Sequence, residues 1–148
     1  MVFKHVLIPT DGSPVARKAV RAGVALAREL GAKVTAYYAM EVMRPYAFGD
    51  GYILDTATLL GMERQAKEIG QKYLAAVEKA AQAAGVPCQT LMTKPETAAE
   101  GIIAAARKRK CDVIFMASHG RGEFASLVLG SVTQKVLARS KIPVLVYR

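Results

Sequence analysis

The chain is poor in cysteine, histidine and acidic residues, and it has no long apolar run. Two cysteines, Cys88 and Cys111, stand in 148 residues. Two thiols do not make a disulfide scaffold, and neither a CxxC pair nor a neighbouring histidine gives them metal-ligand spacing. Both sit in apolar contexts, VPCQTLM and KCDVIFM, and are expected to be buried and reduced. Purely apolar runs fall far short of the roughly 18 residues that a membrane helix needs. The opening MVFKHVLIPTDGS lacks the apolar stretch and small-residue cleavage site of a secretory leader. These absences lead to the expectation of a soluble, cytoplasmic protein with no membrane partner.

The shortage of acid is the sharpest bias. Twelve Asp+Glu face 21 Lys+Arg, leaving a formal charge of +9 and a sequence pI near 9.8. That excludes an acidic disordered chain and raises the question of nucleic acid. The densest basic stretch, Arg107-Lys108-Arg109-Lys110, falls where a helix should end, and cations there suit the helix dipole. No aromatic residues interleave it, and no helix-turn-helix or RNP pattern appears, so specific DNA or RNA binding is not expected. Hydrophobic residues make up 52% and charged residues 22%, as in an ordinary globular protein, and the length suits one domain over residues 1–148.

Five short apolar runs alternate with four helical patterns. The strands are expected at Phe3–Pro9, Lys33–Met40, Val86–Thr93, Asp112–Ala117 and Ile142–Tyr147. Ser13-Pro14 reads as an N-cap with proline at the first helical position, and Gly31 closes that helix. A longer helix is expected over Asp55–Ala84, a third opened by Pro95-Glu96-Thr97, and a fourth over about Ser126–Ser140. Glu41–Leu54, with Pro45, two glycines and several aromatics, reads as a long loop. Alternation of this kind predicts an α/β fold: a doubly wound, Rossmann-like parallel sheet with helices on both faces. Strands such as VLI and VIFM, without polar alternation, fit a sheet covered on both sides. The last strand is apolar on both faces. As an edge it would be a hazard that pairing with a second copy removes, which predicts a homodimer.

In such sheets ligands bind at the carboxyl ends of the strands, where the strand order reverses. Two strand ends carry unusual residues: Pro9-Thr10-Asp11-Gly12-Ser13 and Ala117-Ser118-His119-Gly120-Arg121-Gly122. Nine residues separate Gly120 from Gly130-Ser131. Glycines allow close backbone approach, and N–H groups converging at a helix start attract anions. Ser131 and Thr133 supply hydroxyls, Arg121 and Lys135 supply cations suited to phosphate, and Asp11 is an acceptor for a sugar hydroxyl or a base amino group. Together they describe a nucleotide pocket. The plainer alternatives are a tight turn at Gly120, relief of helix crowding at Gly130, and an Asx turn at Asp11. His119 has no second ligand and no nucleophile beside it, so a loop hydrogen bond is expected rather than metal binding or catalysis.

Four segments carry a resemblance: HVLIPTDGS, DVIFMASHGRG, LVLGSVTQKVL and IPVLVYR. Over nearly its whole length the chain resembles the universal stress protein family. The nucleotide-binding branch of that family has the pattern G-2x-G-9x-G-S/T, which Gly120, Gly130 and Ser131 match in place. The first glycine of the pattern falls at Ala117, and Thr93-Lys94-Pro95 departs from a glycine common before that proline. The resemblance implies a five-stranded parallel sheet in the order 3-2-1-4-5 and a dimer that pairs its last strands. It also implies ATP or a related adenine nucleotide in the cleft, with any Mg2+ carried by the phosphates. Carried over by position, Pro9, Thr10 and Asp11 border adenine and ribose. Ala39 meets the adenine through its backbone, and Met116 packs near the base. Gly120, Gly130, Ser131 and Val132 hold the phosphates.

The implied function is a regulatory ATP-binding module with slow or no hydrolysis and an unidentified signalling partner. A stress protein that acts through protein partners without nucleotide is one alternative. An adenylyl transferase or thiolating ligase is another, but it would need HxGH or SGGxDS, and neither is present.

Overall fold

A computed structural model describes residues 3–41, 55–121 and 128–148. Nine elements alternate along these residues. They are β1 (His5–Pro9), α1 (Pro14–Leu30), β2 (Lys33–Ala39), α2 (Thr56–Ala83), β3 (Cys88–Thr93), α3 (Ala98–Lys108), β4 (Val113–Ala117), α4 (Ser131–Arg139) and β5 (Val144–Tyr147). The strands form one all-parallel sheet in the order β3-β2-β1-β4-β5, as expected. The long-loop expectation for Glu41–Leu54 lies, after Glu41, outside the described residues.

The side-chain period of two divides the core. Val6, Ile8, Val113 and Phe115 face α1 and α2 together with Val24, Leu74 and Val77. Leu7, Tyr37, Ile114 and Met116 face α3 and α4 together with Ile102, Ala106 and Val136. Leu7 and Ile8 are both fully buried, each contributing roughly 1.5–3 kcal/mol. This two-sided burial is why the central strands carry no polar alternation.

Local chemistry sets most helix ends. Ser13 caps α1 by accepting from the Ala16 N–H at 3.2 Å, with Pro14 just inside. Gly31 ends α1 in the left-handed region (φ 64°), which lets the Ala32 N–H reach the Ala27 carbonyl at 2.8 Å. Asp55 and Thr97 cap α2 and α3 through their side chains.

The fourth helix corrects the sequence reading. It starts at Ser131 rather than near Ser126, because Gly130 is extended (φ −69°, ψ 160°) and serves as its N-cap. Residues 128–130 are not helical, and 126–127 lie outside the described residues. The two thiols also divide. Cys111 is buried, as expected, whereas Cys88, on the edge strand β3, is only half-buried.

Candidate functional site

The order of the sheet brings the C-terminal ends of β1 and β4 side by side. Neighbouring strands whose chains depart in opposite directions leave a crevice between their loops. The two unusual loops of the sequence form its lips, and they touch. The Arg121 N–H donates to Asp11 Oδ2 at 2.7 Å, and Arg121 Nη2 donates to the Asp11 carbonyl at 2.8 Å. A Cβ on Gly120 would lie 3.1 Å from Asp11 Oδ2, a tight contact that the bare glycine avoids.

Asp11 fills both roles considered for it. Its Oδ1 accepts from the Ser13 N–H at 2.9 Å, an Asx turn that sets up the Ser13 cap. Its Oδ2 faces the β4 loop. Thr10 is tied down on both sides: its N–H donates to the Tyr37 carbonyl at 2.9 Å, and its hydroxyl accepts from the Gly12 N–H at 3.2 Å. Pro9 ends β1, and Ala39, half-buried, ends β2.

The other wall is the start of α4. Gly130 donates its own N–H to the Ser118 carbonyl at 2.7 Å, so that group is spent inside the protein. The N–H groups of Ser131, Val132 and Thr133 open the helix, and Gly130 offers no side chain to cap them. Among the described helices, α1, α2 and α3 have a side-chain cap and α4 has none. The expectation of a Thr133 hydroxyl donor is overturned. Thr133 is 2% exposed, and its Oγ1 donates to the Ala117 carbonyl at 2.9 Å, pinning α4 to the end of β4. Ala117 is buried, and the side chain of Met116 lies in the core beneath α3 and α4. His119 makes the expected loop hydrogen bond, its Nδ1 lying 2.9 Å from Ser118 Oγ. Lys135 is exposed on α4.

One participant had no signal in any motif. Tyr73 of α2 reaches the crevice, and its hydroxyl accepts from Arg121 Nη2 at 2.6 Å. The Arg121 guanidinium lies 5.5 Å from the Tyr73 ring centroid, a cation–π distance that reinforces the bond. Tyr38 meets Tyr73 edge to face at 5.8 Å. Gly12, at φ 76°, supplies the floor, since any side chain there would collide with the Tyr73 ring. The one hint in the sequence was that Tyr73 flanks the buried stripe Gly70, Leu74, Val77 and Ala81 of α2.

Two surface depressions of about 430 Å3 contain none of the predicted residues. One lies between α1 and α2, by Arg21 and Arg28. The other lies between α2 and β3, by Met40 and Met92. Among the described residues no group of three or more His, Cys, Asp or Glu could hold a metal ion. No helix among them is long and apolar enough to cross a membrane.

The profile of the universal stress protein family matches residues 2–148. The chain belongs to the universal stress protein family. Universal stress protein MJ0531 of Methanocaldococcus jannaschii is 34% identical over 147 residues, covering 99% of this chain and 83% of that protein. The solved structure of the hypothetical protein MJ0577 superposes with a TM-score of 0.83 at 23% identity, covering 99% of this chain and 96% of that one. A universal stress protein in complex with cAMP gives a TM-score of 0.68 at 23% identity, covering 100% of this chain and 99% of that one. The Archaeoglobus fulgidus universal stress protein in complex with dAMP gives 0.65 at 17%, covering the whole of both chains. At these identities the superpositions establish the fold, and the residues of the crevice must carry the argument about ligand.

Proposed function

We propose that this universal stress protein is a regulatory module that binds an adenine nucleotide, ATP foremost, in the crevice between β1 and β4. The observation that carries this reading is the start of α4. Its N–H groups, which Gly130 does not cap with a side chain, stand on one side of the proposed pocket and the acceptor Asp11 on the other, so one end suits an anion and the other a sugar or base donor. Gly120 and the backbone N–H groups of Ser131, Val132 and Thr133 serve the phosphates, and the Ser131 hydroxyl joins them. Pro9, Thr10, Asp11 and the Ala39 backbone serve the nucleoside. Complexes of family relatives with cAMP and dAMP support the adenine assignment. Mg2+ would arrive on the phosphates, since no described acidic cluster awaits it.

His119 Nδ1 lies against Ser118 Oγ, and the proposed module hydrolyses ATP slowly or not at all. The module works in the cytoplasm as a homodimer through β5, an edge strand whose Leu145 and Tyr147 are each 37% exposed. A signalling partner reads the occupied dimer.

Equilibrium binding of labelled ATP tests the reading, with native mass spectrometry of freshly purified protein for stoichiometry. Saturable binding between micromolar and millimolar ATP, one nucleotide per subunit and loss of binding in Gly130→Val are expected. No saturable binding, or binding unchanged by Gly130→Val, would refute it.

A further inference from the structure

The excess of positive charge has a place in the fold. In an all-parallel sheet joined by helices, each helix ends at the pole where the strands begin, opposite the crevice. The strand starts there form one rim. The Lys33 N–H donates to the Lys4 carbonyl at 3.0 Å, the Asp112 N–H to the His5 carbonyl at 2.9 Å, and the Ile114 N–H to the Pro143 carbonyl at 2.9 Å. Lys33, Lys4, Lys110 and Lys141 stand along this rim, at the starts of four neighbouring strands, and all four are exposed. The last helical turns add exposed Arg28 on one face of the sheet and exposed Arg107, Lys108 and Arg139 on the other.

Little at this pole offsets these cations. The carboxylates of its turns are Asp112 and Glu29. Both oxygens of Asp112 accept backbone N–H groups, from Lys4 at 2.9 Å and from His5 at 3.1 Å. Among the described residues none of the cations is in an ion pair. The dipoles of four helix C-termini amount to roughly two negative charges, which the cations outnumber several times over.

We propose that this pole binds the phosphate backbone of double-stranded DNA without regard to sequence. Its chemistry separates this partner from others. Protein interfaces are centred on apolar and aromatic side chains and are poor in lysine. Leu137 is the one large hydrophobic exposed in these last turns. Stable attachment to a membrane surface takes an acyl chain or an inserted apolar face beside the basic patch, and one leucine does not make such a face. Single strands need aromatic platforms for their bases, and Phe3, beside Lys4, is packed against the core. Duplex RNA recognition adds contacts to 2′-hydroxyls, whereas this array supplies phosphate contacts alone. Non-specific binding to duplex DNA asks only for cations that release counterions from the phosphates. The pole has helix ends and strand starts, and no element stands out from it to enter a groove, which keeps the absence of sequence reading. It lies at the other end of the strands from Asp11 and Gly120, so the proposal does not rest on the nucleotide reading.

Fluorescence anisotropy with labelled DNA duplexes of two unrelated sequences tests this, beside the matching single strand, an RNA duplex and phosphatidylserine vesicles. The wild type is compared with a pole variant, Lys33→Gln/Lys110→Gln/Lys141→Gln. A control variant, Arg17→Gln/Arg64→Gln/Lys72→Gln, removes the same charge away from the pole. All six side chains are exposed, and urea midpoints check that both variants fold. The two DNA duplexes should bind the wild type within about threefold of each other, with log affinity falling against log salt at a slope of about −3 or steeper. The pole variant should lose at least about tenfold in affinity, with a slope shallower by about 2–3, and the control less than about threefold. No duplex binding at about 50 mM salt, equal losses in the two variants, or tighter binding to the single strand, the RNA duplex or the vesicles than to duplex DNA overturns the proposal.

Discussion

Gly12→Ala is the most incisive perturbation of the crevice, because two separable costs meet at that residue. The first is conformational: alanine at φ 76° leaves the region that L-residues favour, at about 1–2 kcal/mol. The second is steric. The new methyl would overlap the Tyr73 ring, which cannot retreat freely because Tyr38 and Arg121 hold it. Forcing a methyl into such a packed place costs roughly 1–3 kcal/mol. The single substitution should therefore cost about 2–5 kcal/mol. In a Tyr73→Ala background the steric part vanishes and about 1–2 kcal/mol remains. Urea denaturation of the wild type, the two single variants and the double variant gives the coupling directly, expected at about 1–3 kcal/mol. Equal costs of Gly12→Ala in both backgrounds would refute the idea that Tyr73 is seated on Gly12, and with it the account of how Arg121 is held.

Further predictions concern the rest of the fold. Gly61→Ala, on α2 with open space around it, should stabilise by about 1 kcal/mol through helix propensity. Gly101→Ala should destabilise by about 1–3 kcal/mol, since its methyl would strike the buried Tyr37 hydroxyl and the Pro95 ring; thermal melts showing the same sign for both would contradict this. His5 is 5% exposed, with Nε2 2.7 Å from Thr35 Oγ1. Burial, with Lys33 and Arg109 nearby, holds it below 6.5 against the opposing pull of Asp112. The unfolded chain therefore binds the extra proton first, so stability should fall as pH drops below 6.5 and level off beneath the folded value. Urea midpoints should show that slope in the wild type and a flatter one in His5→Gln. Burial pushes the Cys111 thiol up to about 11. A thiol reagent at neutral pH should therefore modify half-buried Cys88 well before Cys111; equal rates would count against the burial.

Thr133→Val should cost about 1–3 kcal/mol by stranding the buried Ala117 carbonyl, and should weaken ATP binding by loosening the start of α4. Urea denaturation and ATP titration check the two effects. Unchanged stability would remove Thr133 from its structural role.

Short-range physics made much of this protein legible from its residues. Ser13-Pro14 and Gly31 bound α1 because caps and left-handed turns are satisfied within a few residues. The unbroken apolar runs of β1 and β4 announced a sheet covered on both faces, for want of polar side chains to meet water. The strand ends that carry Asp11 and Gly120 were marked by composition alone. What lay beyond reach depends on which distant groups meet. Ser126 and Thr133 looked like parts of one longer helix with an available hydroxyl. The extended backbone of Gly130 starts the helix at Ser131, and a bond to the end of β4 turns Thr133 inward to Ala117. Tyr73, 48 residues from Arg121, carried no motif, and its place at the crevice follows from how α2 packs on the face of the sheet over β2 and β3. The sequence by itself determined the elements, their order and the two lips, because local bonding and burial periodicity suffice for those. Only the tertiary structure decided which donors are already spent and which arm lies across the crevice, because those depend on distances that no local rule sets.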